Sequence, residues 1–342
     1  MAIPVSALPL MVGIPDDMQV LLTARAADGT PTWSVPGNVS FASHLAPEFR
    51  ARLFNVFFGP KLPLSPMPGT RGLPLVNNVG DTDTSAISLR MLDQFLDHTA
   101  AGCFNHPRAV LDSGRDRVAL KLSGIAGLQM PRTIKLRISE PADIVREASE
   151  HQMHFPLIIR VAGSHGGDTT VKVDHADEVA RQLRNLPWGG RDLYLTEFVD
   201  YRDDDGRHRK MRLVVAGRRV FLRHLIVADD WHLHAQDRDD AAAAEEVAAL
   251  AGFTATLLPR IESTVFAVAD ALALDFFGID CSLRPDGRLL VFEANAAMNI
   301  LHNTRPSPNC WDAPIRSIHD ALAALLFDPA NWHFPNLQAV PA

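Results

Sequence analysis

The 342-residue sequence predicts a mixed α+β protein, and three stretches carry that prediction. Residues 277–295 read as a β-hairpin: residues 279–283 form one strand, Arg284, Pro285, Asp286 and Gly287 a turn, and residues 288–292 the return strand. Residues 155–168 read as a buried strand at 157–161 that runs into a loop of small residues. Residues 87–98 place Ile87, Leu89, Met91, Leu92, Phe95 and Leu96 at helical spacing. A chain of this length holds two or three subdomains around buried cores.

The hairpin carries three oxygen ligands. Asp280 begins its first strand, and Glu293 and Asn295 end its second. Residues two apart on a strand point to the same face, so Glu293 and Asn295 can share a ligand while Ala294 points away. The fold of the hairpin brings Asp280 beside them. Two carboxylates and one amide oxygen suit Mg²⁺, a hard cation that completes its shell with water and substrate phosphates. The competing reading is a solvated surface hairpin. Leu289, Leu290, Val291 and Phe292 decide between them: the run is apolar on both faces, and a carboxylate at the end of a buried strand needs a partner.

Composition excludes several classes. With 47% hydrophobic and 21% charged residues the chain reads as an ordinary globular protein, and its net charge of −7 gives no basic field for nucleic acid or anionic membrane. Cys103, Cys281 and Cys310 are too widely spaced for a disulfide framework or a zinc site and read as buried or incidental thiols in a reducing compartment. No Lys or Arg precedes Arg25, so a signal peptide is not expected, and no uninterrupted apolar run approaches the roughly 18 residues of a membrane helix. The expected location is the cytoplasm.

Taken in order, residues 1–110 carry the least chemistry. Five prolines and two glycines within residues 60–74 argue for loops around short elements. A short buried strand at 74–79 and a second piece at 102–107 flank the helix at 87–98, and His106, before a proline, reads as a turn residue. Residues 115–122 read as a short helix, 124–131 as a loop and 133–138 as a strand; Pro141 opens a helix that runs to 151. Strand 157–161 carries one cation, Arg160, into Gly163, Ser164, His165, Gly166 and Gly167. Glycines let backbone N–H groups approach phosphate oxygens, and a permanent cation nearby neutralises charge. Asp177 reads as the N-cap of a helix to 185. An apolar strand from Asp192 ends in Glu197, Phe198, Val199 and Asp200, and Asp203, Asp204 and Asp205 read as a solvated turn.

Residues 207–217 form a basic strand, with His208, Lys210 and Arg212 on one face and Arg209 and Met211 on the other. A row of cations needs anions, so Lys210 and Arg212 are expected to face phosphate. The paired strand, 218–227, holds Arg223 and His224 near its middle. His224, His232 and His234 do not share a helix face, which argues against a histidine metal site. A helix is expected within 237–251 after an exposed loop. A longer one, within 254–274, should back the hairpin with Leu257, Ile261, Val265, Val268 and Leu272. The tail after residue 306, with a helix near 318–327, reads as packing.

Asp280, Glu293 thirteen residues later and Asn295 are similar to the metal-binding end of the ATP-grasp enzymes. Three further passages resemble the family in the same order: residues 113–137 its entry, with Arg117 at the family's Lys position and Lys121 one turn on; Arg160 and the following loop its strand and glycine-rich lid, with Arg in place of Lys; and residues 197–199 its hinge. The resemblance covers about residues 113–303.

It implies an ATP-grasp fold, two α+β subdomains sandwiching ATP after a small α/β N-terminal domain. The expected division is 1–112, 113–196 (nucleotide lid), 197–305 (metal subdomain) and 306–342. It implies ATP and Mg²⁺, two ions with Mn²⁺ as a substitute, held by Asp280, Glu293 and Asn295. Lys121, Arg160, Ser164, His165, Gly166 and Gly167 would meet the phosphates. The backbone of Glu197, Phe198 and Val199 would meet the adenine, and Asp200 the ribose, with Asp203, Asp204 and Asp205 as competitors for that role. Arg212 and Arg223 are the implied catalytic cations; Lys210, which stands where the family has Asp, joins them on the strength of the cationic strand face alone, and His224 and Asn299 would touch substrate. The loop after Asn295 departs from the family's Pro or Gly, so the substrate is not legible there. The implied activity joins a small-molecule or peptide carboxylate to an amine through an acyl phosphate; the alternatives are a phosphotransferase and a nucleotide-binding regulator without turnover. A homodimer is the commonest assembly for such a chain.

Overall fold

The computed structural model describes residues 7–24, 31–65, 72–164, 167, 169–233 and 239–334; His165, Gly166 and His234 lie outside them. The N-terminal part builds a parallel sheet with strand order β4-β1-β5-β6. Its strands are β1 (Leu8–Gly13), β4 (Leu53–Phe58), β5 (Leu75–Asn77) and β6 (Cys103–Phe104), with a separate hairpin of β2 (Leu21–Ala24) and β3 (Pro31–Ser34). The amphipathic pattern read at 87–98 is the helix Ala86–Thr99, which buries Leu89, Leu92 and Leu96.

Next come β7 (Leu128–Gln129), β8 (Thr133–Arg137), β9 (Leu157–Val161), β10 (Thr170–Val173) and β11 (Asp192–Glu197). The last four form an antiparallel sheet, order β10-β9-β11-β8, and the helices Ala142–Glu150 and Val179–Leu183 bury their apolar residues with it. The expected Asp177 N-cap is not formed. A 3-10 turn, Ala176–Glu178, precedes the helix, and Glu178 accepts the Asp174 amide instead.

The third sheet contains β12 (His208–Ala216), β13 (Arg219–Ala228), β14 (Phe276–Leu283) and β15 (Leu289–Asn295) in the order β13-β12-β14-β15-β7. Its hairpin is longer than the sequence reading allowed. β14 begins at Phe276 because Phe276 and Phe277 are buried and because Gly278 packs under Met298, where a Cβ would come within 2.4 Å of the sulfur. Asp280 therefore sits inside the strand, directly across from Glu293, with an irregularity just after it.

One continuous helical run covers Asp240–Leu272 where two helices were expected. The helices Asp240–Gly252 and Leu258–Leu272 are fused through a π segment, Phe253–Leu257, and Asp239 caps the start. By length and composition this is the one described helix able to cross a membrane. Its Ile261, Val265, Val268 and Leu272 are buried in the main core, as the sequence pattern required of a helix backing the sheet.

Two cores ignore the expected domain lines. One joins Leu89 and Leu92 of the N-terminal part with Leu213, Phe277 and Val291 of the third sheet; another joins Leu10 and Val76 with Ile318 and Leu322 of the helix Asp312–Leu326. The second sheet keeps a core of its own, and a smaller cluster of Tyr201, Ile226, Ala228, Leu233 and Leu290 stays within the third-sheet region. A polar knot ties the N-terminal part and the tail to the third sheet. Buried Asp275 accepts the amides of Asn105 and His333, each at 2.6 Å, and Asn105 Oδ1 accepts the Asp275 and Phe276 amides in return.

Candidate active site

The second and third sheets enclose a cleft of about 360 Å³. On its floor lies Glu293, whose Oε1 accepts from Asn295 Nδ2 at 2.6 Å, so the two side chains share a face as their spacing required; Asn295 itself lines the adjoining crevice with Asp81, Asp83 and Gly163. Asn295 Oδ1 is buried with no hydrogen-bond partner among the described residues. Asp280 is gripped from both ends by Arg212, Nε to Oδ1 at 2.7 Å and Nη2 to Oδ2 at 2.9 Å. Burial pushes the Asp280 carboxyl up, and the Arg212 guanidinium overrides it and holds it well below the usual range. Arg212 Nη1 also donates to the Asn299 carbonyl at 2.9 Å, so one side chain joins the floor to the loop after β15. Glu293 is paired with Arg115 at 2.6 Å; burial opposes its charge, and Arg115 followed by Arg160 outweighs burial and lowers its pKa.

Alternation on β12 puts Lys210 and Arg212 on the cleft wall, and Lys210 Nζ donates to the Leu233 carbonyl at 3.1 Å. Arg209 faces away. Asp203 and Asp205, read as a solvated turn, hold it at 2.8 Å each together with Glu245 at 2.6 Å. His224 lies opposite Arg212 and lines the cleft, but Arg223 does not. The β12–β13 register shifts after Arg212, so Arg223 turns inward, donates to the carbonyls of Ile300 (2.7 Å) and His302 (2.9 Å), and lies over Trp311. It anchors the loop after Asn295. Asn299 enters the site through its backbone carbonyl.

Arg160 lines the cleft, with Nη2 donating to the Ser164 carbonyl at 2.5 Å, and Gly167 lies on the same wall. Burial, then the neighbouring Arg115, brings Arg160 down to about 10. Lys121 and Arg117 are placed elsewhere: both pair with Asp112, at 2.8 and 2.9 Å. The cation this helix sends into the cleft is its first residue, Arg115, which faces the floor because the helix Arg115–Leu122 points its start at β15. Sequence reading passed over it for want of any signal besides that position.

At the other end the cleft is lined by Phe198, Val199, Tyr201, Trp231, His232 and Phe292. Trp231 stacks on His232 at 5.0 Å and meets Phe198 edge-on at 5.7 Å. The Glu197 amide is bound to the Arg132 carbonyl and the Phe198 amide to that of Pro156, so of this stretch Val199 is the residue left to offer its amide. Asp200 lies outside the cleft, in an adjoining crevice with Lys172 and His208, where its hydrogen bonds to Arg202 lower its pKa.

No family model and no curated protein matches the chain. Solved structures do. The D-alanine–D-alanine ligase from Coxiella burnetii superposes with a TM-score of 0.52 at 11% identity, over 94% of this chain and 94% of that one. The VanG D-Ala:D-Ser ligase from Enterococcus faecalis gives 0.52 at 12% identity, over 93% and 99%. The ATP-grasp ligase PsnB, complexed with a minimal precursor, gives 0.50 at 16% identity, over 94% and 100%. The chain has the ATP-grasp fold. Apart from Glu197 at the end of β11, the strands of the second sheet fall within the expected lid division 113–196 and β12 to β15 of the third within 197–305, with the cleft between the two sheets.

Proposed function

We propose that this ATP-grasp chain is an ATP-dependent carboxylate–amine ligase. The observation that carries the reading is the convergence of Asp280 and Glu293, with Asn295 bonded to Glu293 from the adjoining crevice, on Arg115, Arg160, Lys210 and Arg212. The aromatic end offers a flat apolar slot for a base with the Val199 amide at its edge, and the cationic end suits a polyphosphate. That the known structures sharing the fold include D-alanine-adding ligases and a ligase bound to a precursor supports the same class.

The donor set fits a hard divalent cation. All three groups offer oxygen, and the buried Asn295 Oδ1 lacks a partner among the described residues. Asp280, Glu293 and Asn295 would hold Mg²⁺, two ions in our reading, with Mn²⁺ as a substitute. When bound, the metal neutralises phosphate charge. The protein's part is electrostatic. Arg160 and Lys210 hold the phosphate chain from two sides, and Arg212, already bridging the floor and the Asn299 loop, aligns the acceptor carboxylate with the γ-phosphoryl group. Phosphoryl transfer gives an acyl phosphate and ADP; attack by an amine then forms the amide and releases phosphate. Carboxylate and amine would come from small molecules or peptides.

The test is ADP release from Mg²⁺-ATP across a panel of carboxylates, with hydroxylamine as the amine. Hydroxamate formed together with ADP, and lost in Glu293→Ala, supports the ligase. ADP with a phosphorylated product and no hydroxamate would replace it with the phosphotransferase reading.

A further inference from the structure

The loop between β5 and the helix Ala86–Thr99 lies outside the motifs read from the sequence, yet it reaches the lid subdomain. Asp81 Oδ1 accepts the amides of Asp83 (2.8 Å) and Thr84 (3.4 Å) and fixes the turn. Asp83 then makes three bonds, all to the lid. Oδ1 accepts from Lys135 Nζ and from the Tyr194 hydroxyl, both at 2.7 Å, and Oδ2 accepts the Gly163 amide at 3.0 Å. Lys135, Tyr194 and Arg160 are cross-strand neighbours on β8, β11 and β9, so Asp83 caps the row to which Arg160 belongs. It also holds the chain that Arg160 grips, since Gly163 precedes Ser164, whose carbonyl accepts from Arg160 and whose hydroxyl donates to the Val161 carbonyl at 2.5 Å. Gly163 has φ +71°, and a Cβ there would come within 3.2 Å of Thr84, so the two loops are in close contact.

We propose that Asp83 is a positioning residue for Arg160. A carboxylate from the N-terminal domain fixes the guanidinium that faces the cleft and so sets the phosphate end of the site from outside both ATP-grasp subdomains. Three bonds to three separate strands or turns leave Asp83 few alternative placements, and its charge also offsets the crowding of Arg160 by Arg115.

This inference rests on the nucleotide reading, and the experiment separates the two. ATP and adenosine affinities are measured for the wild type, Asp83→Ala, Arg160→Ala and the double variant, with Tyr194→Phe as a milder probe of the same carboxylate. Asp83→Ala is expected to weaken ATP about tenfold, the scale of one lost charged hydrogen bond, and to leave adenosine unchanged. It should add little to Arg160→Ala, because both remove one interaction. Tyr194→Phe should move ATP affinity in the same direction by less. Equal losses for ATP and adenosine, or full additivity in the double variant, would overturn the proposal. Amide exchange at Gly163 is read without nucleotide: faster exchange in Asp83→Ala supports the clasp, and unchanged exchange overturns it. A wild type that does not discriminate ATP from adenosine defeats the nucleotide reading alone, and the exchange result still decides the contact.

Discussion

Arg212 shows how much one side chain carries. It satisfies both oxygens of a carboxylate only 6% exposed and reaches the Asn299 carbonyl with its remaining nitrogen. Arg212→Met keeps the bulk and removes the charge, leaving Asp280 buried beside a lost partner. Urea unfolding at neutral pH is expected to show a loss of about 3–5 kcal/mol, the usual consequence of breaking one side of a buried pair. An unchanged midpoint would show that Lys210 or water replaces Arg212. At this scale the sequence was legible wherever strand alternation governs: Lys210 and Arg212 on one side of β12, Arg209 on the other, Glu293 beside Asn295. It was not legible for Lys121 and Arg117, because the direction a short helix presents to the cleft depends on how its axis packs against β15. Spacing along the sequence does not contain that angle.

Among elements, most were legible and their junctions were not. β9 and the helix Arg115–Leu122 fall on the expected residues, since apolar periodicity sets them locally. Arg223 failed because the register of β12 against β13 shifts after Arg212 and leaves Arg223 unpaired, with its guanidinium on the Ile300 and His302 carbonyls, and no local pattern announces such a shift. The π segment Phe253–Leu257 was likewise silent and read as the gap between two helices. The polar knot at Asp275 joins β6, β14 and the segment at His333, and it has a consequence for pH. Burial raises the Asp275 carboxyl from 3.8 to about 7, against the two amides that favour its charge. An acid whose folded pKa is raised binds its proton more tightly when folded. Its contribution is therefore full below the unfolded value and falls away as pH rises from about 4 to 7, by roughly 4 kcal/mol at most. Asp275→Asn, which cannot ionise, is expected to be less stable than the wild type at pH 5 because it loses one amide bond. The gap should narrow by pH 8. A gap that stays constant in denaturant titrations would mean that Asp275 does not titrate in this range.

For the whole molecule, the cores divide the chain differently from the family's domain lines. The N-terminal sheet, the third sheet and the helix Asp312–Leu326 share apolar clusters, whereas the second sheet and its helices bury Ile144, Leu157, Ile159 and Leu193 among themselves. Native-state hydrogen exchange should therefore show β9 and β11 opening as a unit of lower free energy than β12 and β14, which should exchange through global unfolding. Equal protection in both sheets would contradict this. The order of motifs made the two-subdomain cleft legible, but the shared cores depend on contacts between residues more than a hundred positions apart, which no window of sequence displays. The pairing of the cleft floor has a consequence for the order of events. Asp280 and Glu293 already face Arg212 and Arg115, two negative charges against two positive ones. A bare divalent cation arriving alone must displace a guanidinium from each carboxylate and gains little. Polyphosphate changes the exchange, because it gives both arginines somewhere else to go. Mg²⁺ by itself is thus expected to leave the melting temperature unchanged and Mg²⁺-ATP to raise it, so that the resting protein withstands chelators and the metal enters as part of a substrate pair. A clear thermal shift with Mg²⁺ alone would show instead that the floor is built to hold its ion permanently.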